Sequence, residues 1–250
     1  MKLVYKKDET KFYLGDAVDL LDVIEPESID LVCSSPPYFN AKEIYSHYDL
    51  YADYLEQMEL IAKKLWKALR HDGRIAINVP LGYGRSPYIP IGLDWTKILV
   101  DRHYVLRAHI IWVKGETNGS TAWGSWKSAS NPTIRDTHEI IIVAQKTLPK
   151  KINEQGESTI DEETFLKATS SVWNVQPRSH EWHPAVFPPE IPRRLIELYT
   201  FKGDTVLDPF SGTGTTIWTA EALGRKAIGI EKSEEYLKKS IGELFYGRII

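Results

Sequence analysis

The hydrophobic positions of this chain form short apolar runs separated by stretches with a helical period. The runs predict buried β-strands at 12–14, 29–33, 74–79, 205–210 and 226–230. Between them, apolar residues recur about every 3.6 positions, which predicts helices at 18–24, 51–69, 95–101, 193–199 and 217–223. Because strands alternate with helices, the pattern indicates an α/β fold with a mostly parallel sheet.

Two helix boundaries are predicted from single residues. The segment His71-Asp72-Gly73 follows the helix 51–69, and Gly73 is expected to be the C′ residue just beyond its end. Asp94 is expected to cap the helix 95–101, because a carboxylate at that position accepts a backbone N–H of the first turn.

Residues 104–113 and 139–144 are strongly strand-like, and the stretch 114–137 between them is rich in Gly, Ser, Thr and Trp. Two strands joined in this way predict an antiparallel hairpin with a long functional loop. The next stretch, 150–171, is polar and acidic. It is expected to be an exposed excursion and not a separate domain.

The composition is that of an ordinary globular protein. The 250 residues suit one large α/β domain or two small ones, and the formal net charge of −3 gives no global sign of nucleic-acid binding. No signal peptide is expected at the amino terminus, and the absence of a run of about 18 apolar residues predicts no membrane span. A cytoplasmic protein is therefore expected.

The cysteine and histidine content gives no sign of a metal site. Cys33 is the single cysteine, which excludes an internal disulfide framework and a Cys-rich zinc site. Because Cys33 lies within a predicted strand and not in a Pro-Cys loop, it is expected to be a buried structural thiol. The seven histidines have no paired spacing, so no metal is expected.

The segment from Lys97 to Lys151 is locally basic, with nine Lys or Arg against four Asp or Glu. Trp123 and Trp126 lie among these charges. Aromatic rings between cations are typical of nucleic-acid surfaces, whereas a solvated charged face is the alternative interpretation.

The tetrapeptide Ser35-Pro36-Pro37-Tyr38 follows the predicted strand 29–33, at the edge where open α/β sheets bind ligands. Two consecutive prolines fix the backbone and donate no N–H, so the carbonyl groups of Ser35 and Pro36 are held in a stiff turn. With the Ser35 hydroxyl and the Tyr38 ring, the turn offers acceptors for a planar amino group and a surface for stacking. A purely structural turn is the alternative.

A second candidate site is the glycine-rich turn Ser211 to Thr216, which lies between a buried strand and a helix. The next strand ends at Glu231, nineteen residues after Gly212, where an acid can bind ribose hydroxyls. The turn has no P-loop lysine, and Ile217 stands where a dinucleotide fingerprint has a third glycine. A carboxylate and a sulfonium are therefore compatible with it. A unit that starts at residue 205 leaves room for only two strands, so the N-terminal strands are expected to complete its sheet.

The two motifs together resemble the DNA amino-methyltransferases in their circularly permuted arrangement, the beta class. In that family a Ser/Asp/Asn-Pro-Pro-Tyr tetrad comes first and the loop that binds S-adenosylmethionine (SAM) comes last, as 35–38 and 207–216 do here. The resemblance implies a Rossmann-like SAM-dependent methyltransferase fold, circularly permuted, with a mostly parallel sheet and an antiparallel hairpin.

The resemblance further implies a single methyltransferase domain over 1–250. Its catalytic half would be 1–80, its hairpin and target-recognition loops 81–171, and its SAM-binding half 172–250. Recognition of a target sequence would fall to loops, because the chain has little room for the sizeable recognition region that the family often carries.

The resemblance also implies roles for individual residues. The catalytic residues would be Ser35, Pro36, Pro37 and Tyr38. The expected contacts to SAM are Asp16, Ala17, Ser34, His183, Pro184, Phe187, Asp208, Pro209, Phe210, Ser211, Gly212, Gly214, Thr215, Thr216, Glu231 and Lys232. The expected DNA contacts, near the tetrad and in the basic segment, are Tyr45, Lys114, Trp123, Trp126, Lys127 and Arg135.

Serine at the first position of the tetrad is the form usual in N4-cytosine enzymes, whereas aspartate is usual in N6-adenine enzymes. Ser35 therefore implies methyl transfer to N4 of a flipped-out cytosine in double-stranded DNA. Adenine N6 is the nearest alternative, followed by an amine in RNA or protein. The intact tetrad disfavours a nucleotide-binding module without catalysis, and the missing third glycine disfavours a dehydrogenase. The resemblance suggests a homodimer and a cognate restriction endonuclease as further partners.

Overall fold

The computed structural model describes residues 1–39, 48, 50–82, 84, 87–115, 126–130, 132, 134–148, 156–177 and 188–245. The strands are Lys2–Lys7 (β1), Thr10–Leu14 (β2), Ile29–Ser34 (β3), Leu69–Pro80 (β4), Val105–Val113 (β5), His138–Gln145 (β6), Val172–Asn174 (β7), Thr205–Asp208 (β8) and Lys226–Glu231 (β9). The helices are Tyr51–Ala68 (α1), Ile91–Asp101 (α2), Glu162–Ala168 (α3), Glu190–Tyr199 (α4), Thr215–Ala222 (α5) and Glu234–Phe245 (α6), with a 3-10 helix at Ala17–Asp22.

The strands of the described ranges form one sheet in the order β1-β2-β9-β8-β3-β4-β6-β5-β7. From β2 to β4 all neighbours are parallel. Strand β6 is antiparallel to both β4 and β5. The prediction of a mostly parallel sheet with an antiparallel hairpin is therefore confirmed. No helix in the described ranges is long and apolar enough to cross a membrane.

Strands β3 and β8 are neighbours, with Leu31 opposite Val206 and Val32 opposite Leu207. From β3 the chain crosses through α1 to β4 on one side, and from β8 it crosses through α5 to β9 on the other. Connections that leave in opposite directions open a crevice at the carboxyl ends of the two strands. The tetrad and the glycine-rich turn both follow these ends. Because β3 pairs with β8, the prediction that N-terminal strands complete the sheet is confirmed.

Alternate residues of the central strands face two separate apolar clusters. On one face, Ile75 and Ile77 of β4 belong to the cluster that includes the buried side of α1. On the other, Ala76 joins a cluster with Leu195 of α4 and Ile217 of α5. Because such a strand is covered on both faces, it appears in the sequence as a continuous apolar run.

The expected role of Gly73 at the end of a helix is wrong. Helix α1 ends at Ala68, and Leu69 is already extended, with φ −64° and ψ 137°. Gly73 lies within β4, where the pairing with β3 is irregular. A Cβ at Gly73 would lie 2.9 Å from the carbonyl oxygen of Ile29, so this position needs glycine because two backbones approach closely.

The expected capping role of Asp94 is also wrong. Helix α2 begins at Ile91, after Pro90, and has no side-chain cap. Asp94 lies in the first turn and accepts a hydrogen bond from the Tyr51 hydroxyl at 2.7 Å. The carboxylate thus joins α2 to α1 and leaves the backbone N–H groups of the first turn uncapped by side chains.

The sequence pattern did not predict β1, β7, α3 and α6. Strand β1 is at an edge of the sheet and nearly all its side chains are exposed, so it lacks the apolar run of a central strand. Strand β7 has three residues. Helix α3 lies in the stretch 150–171, and its cap is Asp161, which accepts a hydrogen bond from the Thr164 N–H at 2.8 Å.

We predict that Gly73→Ala lowers the free energy of unfolding by about 1–3 kcal/mol, because the added Cβ must displace the Ile29 backbone. Gly242→Ala is the control, since a Cβ there meets nothing within 4 Å and alanine favours a helix by up to about 1 kcal/mol. Urea unfolding measures both. Equal effects of the two substitutions would contradict the close approach.

Candidate active site

The base of the crevice is closed by a hydrogen bond between the last residues of β3 and β8, which precede the two candidate motifs. Ser34 Oγ donates to Asp208 Oδ1 at 2.6 Å, and the two residues are 174 positions apart in sequence. The backbone N–H of Phe210 donates to the same oxygen at 3.0 Å. Ser34 and Asp208, both predicted to contact SAM, are buried and fasten the end of β3 to the end of β8.

Asp208 is an unusual acid because of this position. Burial raises the pKa of its carboxyl to about 6, although the hydrogen bonds from Ser34 and the Phe210 N–H act to lower it. The group therefore changes charge just below neutral pH. Its titration can be detected separately from that of ordinary surface acids.

The glycine-rich turn adopts backbone geometry that favours glycine. Gly212 and Gly214 have φ of 48° and 78°. A Cβ at Gly214 would lie 2.4 Å from Ser240 Oγ and 2.6 Å from Trp218 Nε1, so a side chain is excluded there on steric grounds as well. Helix α5 begins at the next residue, which places the free N–H groups of its first turn beside the glycines.

The residues of the turn fit a cofactor that carries a carboxylate. Ser211 Oγ is buried and has no hydrogen-bond partner in the described part of the chain. The first turn of α5 supplies unpaired backbone donors, and a helix N-terminus favours an anion. The contacts predicted for Pro209, Phe210, Thr215 and Thr216 stay predictions.

Glu231 is hydrogen-bonded to the glycine-rich turn, beside which the sequence predicts it to lie. Its Oε2 accepts the Gly212 N–H at 2.8 Å, and its Oε1 accepts the Ser233 N–H at 2.8 Å. Burial raises the pKa of Glu231 above its ordinary value. Each carboxylate oxygen retains a second acceptor site, so contact with ribose hydroxyls stays a prediction.

The predicted contacts from opposite ends of the chain are adjacent. Asp16 Oδ1 accepts the Val18 N–H at 3.1 Å and caps the 3-10 helix, and Asp16 Oδ2 pairs with Lys232 Nζ at 2.8 Å. The Gly15 N–H donates to the Glu231 carbonyl at 2.9 Å. Ala17 is buried beside them. The structure therefore brings Asp16, Ala17, Glu231 and Lys232 to one edge of the crevice.

The tetrad lies at the end of β3. Ser35 Oγ donates to the carbonyl oxygen of Asn78 at 3.1 Å and lies 3.3 Å from the Tyr38 hydroxyl. Pro36 is buried, whereas Ser35, Pro37 and Tyr38 are half-buried. The tetrad is thus packed against β4 and keeps partial access to solvent.

Two residues that the sequence analysis missed, Asn78 and Glu139, complete this cluster. The Tyr38 hydroxyl donates to Glu139 Oε2 at 3.1 Å, and Asn78 Nδ2 donates to the same oxygen at 2.6 Å. The Lys114 ammonium pairs with Glu139 Oε1. Burial, and secondly the charge of Glu139, raise the pKa of Tyr38 well above its usual range, so this hydroxyl stays protonated.

Asn78 and Glu139 were missed because both lie in apolar runs that predict strands. Asn78 interrupts the run 74–79, and Glu139 begins the run 139–144. A polar side chain on a buried strand needs a hydrogen-bond partner, and that requirement was the available signal. The partner itself depends on which strands are neighbours.

Five predicted site residues lie outside the described residues: Tyr45, Trp123, His183, Pro184 and Phe187. Of the other predicted DNA contacts, Trp126 and Arg135 are exposed, and Lys127 Nζ is 6.0 Å from the centre of the Trp126 ring. Lys114 differs from these, because its ammonium is bound to Glu139. Its contact with DNA stays a prediction.

Cys33 is buried within β3, which confirms the expected buried thiol. Burial raises the pKa of the thiol above its ordinary value. A thiol that resists ionisation is a poor nucleophile.

At the carboxyl ends of β3 and β8, the glycine-rich turn is suited to bind a methyl donor, and the tetrad offers acceptors for an amino group. This is the arrangement of the SAM-dependent amino-methyltransferases. A sequence model of the DNA methylase family, which includes N6- and N4-methyltransferases, matches residues 29–242. The chain belongs to this family. It is a SAM-dependent DNA methyltransferase, and its substrate is DNA.

Individual proteins support this conclusion. The chain is 37% identical over 158 residues to the type II methyltransferase M.MjaVI of Methanocaldococcus jannaschii, covering 62% of this chain and 81% of the relative. A Thermus thermophilus protein described as a DNA modification methylase, solved with SAM, is similar with a TM-score of 0.77, 26% identity and 94% coverage of each chain. The PvuII DNA methyltransferase, described as cytosine-N4-specific, shares the fold with a TM-score of 0.80 and 23% identity over 100% of this chain and 91% of that one.

We predict that Asp208→Asn makes stability less dependent on pH. The asparagine oxygen can keep both hydrogen bonds, but the buried charge is lost. Because the folded pKa is about 6 and the ordinary value is 3.8, the wild type loses stability as pH rises through that window, and the cost is complete above it. The variant should therefore be more stable than the wild type near pH 8, on the order of 2–3 kcal/mol, with little difference near pH 4.

Urea unfolding of both proteins at the two pH values measures this difference. A difference that stays the same across the window would contradict the raised pKa of Asp208.

Proposed function

We propose that this chain transfers the methyl group of SAM to the exocyclic N4 of a cytosine that is flipped out of double-stranded DNA. The observation that carries the proposal is the half-buried Ser35 at the end of β3, beside the glycine-rich turn. Serine at this position resembles the form usual in N4-cytosine enzymes. The shared fold of the PvuII enzyme, described as cytosine-N4-specific, supports the same base.

The chemistry required of the protein is mainly orientation. An exocyclic amine is a weak nucleophile, because its lone pair is delocalised into the ring. SAM supplies an electrophilic methyl group on a sulfonium, so the S–CH₃ bond breaks as the N–CH₃ bond forms, and the methylated amine gives up one proton to solvent. Ser35 Oγ and the Pro36 carbonyl oxygen would accept hydrogen bonds from the two N–H groups of the amine. These hydrogen bonds favour a tetrahedral nitrogen with its lone pair free to attack the methyl group.

The target base must leave the duplex before these contacts form, because the tetrad cannot reach an amine inside the helix. In this proposal the Tyr38 ring stacks on the flipped base. The flanking DNA lies on the basic segment around Trp126 and Lys127, which are accessible. The chain has a net charge of −3, so its affinity for DNA would depend on one basic face. This affinity should fall steeply as the salt concentration rises.

The proposed roles of three segments of the chain follow from the order of the motifs. Within one domain, 1–80 would supply the tetrad and 172–250 the SAM site, while 81–171 would supply the hairpin and the loops that recognise the target. M.MjaVI is named as a type II methyltransferase, which supports a cognate restriction endonuclease as a partner. A homodimer is proposed from the family resemblance alone.

Adenine N6 is the second candidate target, because the matched family includes N6- as well as N4-methyltransferases. The exocyclic amines of cytosine and adenine are both planar and can donate two hydrogen bonds, so the tetrad acceptors suit either base. The identity of the methylated nucleoside separates the two candidates.

We predict that Ser35→Ala lowers kcat about 100-fold, because an oriented acceptor for the amine is lost. SAM affinity should not change, since Ser35 is outside the glycine-rich turn. Transfer of labelled methyl groups from SAM to mixed-sequence DNA measures the rate, and calorimetry measures SAM affinity.

The control is Ser28→Ala, which removes a half-buried serine whose hydroxyl donates to the Glu25 carbonyl oxygen at 2.6 Å. It should leave kcat unchanged. A Ser35→Ala variant as active as this control would refute the proposed role of the tetrad.

A further inference from the structure

In the folded protein, the hydroxyl groups of Ser35 and Tyr38 both donate their protons to other protein groups. The Ser35 hydroxyl donates to the Asn78 carbonyl oxygen at 3.1 Å, and the Tyr38 hydroxyl donates to Glu139 Oε2 at 3.1 Å. A hydroxyl that has donated its single proton has lone pairs left to offer. Both oxygens therefore meet any further partner as acceptors.

The side-chain amide of Asn78 is oriented in the same sense. Its Nδ2 donates to Glu139 Oε2 at 2.6 Å. The reverse orientation would set the amide oxygen against a carboxylate, so this contact assigns the amide. Asn78 Oδ1 is then buried without a partner among the described residues, on a side chain that is 3% exposed. A buried acceptor of this kind needs a donor from outside the described residues.

Glu139 is the common acceptor of the Tyr38 and Asn78 protons. It is 6% exposed, and the Lys114 ammonium pairs with its other carboxylate oxygen. Lys114 Nζ also lies 4.9 Å from the centre of the Trp112 ring, whose N–H is fixed by the Val175 carbonyl oxygen at 2.7 Å. The cation offsets the cost of burying the carboxylate and holds it in place.

We propose that Glu139 is a positioning residue that makes the tetrad pocket a surface of acceptors, and that this surface selects an amino group against a keto group on the target base. The inference rests on the proposed function, because it concerns the amine that would be methylated. A carboxylate cannot donate, so it draws the protons of Tyr38 and Asn78 towards itself. Ser35 Oγ remains for the substrate as an acceptor, while the protons of Tyr38 and Asn78 stay hydrogen-bonded to their protein partners.

The selectivity follows from the pattern of donors and acceptors. Cytosine presents an amino group where uracil presents a carbonyl oxygen. An amino group can donate to the acceptors of the pocket, whereas a carbonyl oxygen would face them with no proton between. Leaving polar groups unpaired in a buried site discriminates strongly between otherwise similar ligands.

The test is Glu139→Gln, which keeps the shape of the side chain but gives it an NH₂ donor. We expect kcat to fall on the order of 10- to 100-fold, with unchanged SAM affinity. The matched control is Glu197→Gln on α4, since Glu197 is also 6% exposed and pairs with Arg193 at 3.2 Å. The control should keep the wild-type kcat, and a Glu139 variant as active as the control would overturn the proposal.

A binding measurement isolates the selectivity from any structural effect. Duplexes carry the target site, once mapped by sequencing of modified bases, with either cytosine or uracil at the methylated position. The wild type should prefer cytosine, and Glu139→Gln should reduce that preference about tenfold. The weaker pairing of uracil with guanine affects both proteins and cancels in the comparison. A preference that is the same in both proteins would overturn the selectivity.

A double variant tests whether Glu139 acts through Tyr38. Tyr38→Phe keeps the ring and removes the hydroxyl. Added to Glu139→Gln, it should slow transfer no further, because the two residues work as a unit. Losses that multiply would overturn the proposal.

If Glu139→Gln does not fold, Tyr38→Phe alone decides. A slower kcat with unchanged SAM affinity supports the proposal, and an undiminished kcat overturns it. Label found in cytosine with the wild type establishes the proposed function in the same assay. Failure of this inference is therefore distinguishable from failure of the proposed function.

Discussion

The parallel pairing of β3 with β8 is the constraint on which the rest of the structure depends. It brings 29–34 beside 205–208, and the buried hydrogen bond from Ser34 to Asp208 fastens their carboxyl ends. In a site with little water such a bond is stronger than at the surface. Because the chain leaves β3 and β8 in opposite directions, the loop after each strand borders the same crevice. Two motifs from opposite ends of the sequence become one site in this way.

The strands on the far side of β3 give the tetrad its chemical character. Strand β4 supplies Asn78 and β6 supplies Glu139, and their side chains can meet because the two strands are antiparallel neighbours. A carboxylate behind the tetrad orients protons that would otherwise be free to rotate. The glycine-rich side of the crevice is organised by backbone geometry, whereas the tetrad side is organised by charge. The first suits a flexible cofactor, and the second suits a planar base.

The sequence predicted the parts of the fold that have a local cause. Central strands are covered on both faces, so they form apolar runs, and the glycine-rich turn has a fixed spacing to Glu231. The errors have tertiary causes. Gly73 is glycine because the backbone of Ile29 comes close, and Asp94 is engaged by Tyr51 from another helix. Asn78 and Glu139 were missed for the same reason, since their roles depend on the order of strands in the sheet.

The most direct test of this account is nucleoside mass spectrometry of DNA from cells that express the chain. We expect N4-methylcytosine with the wild type and its loss with Ser35→Ala. Sequencing of the modified bases would then give the target site. N6-methyladenine in place of N4-methylcytosine, or N4-methylcytosine that persists in the Ser35 variant, would contradict the proposed reaction.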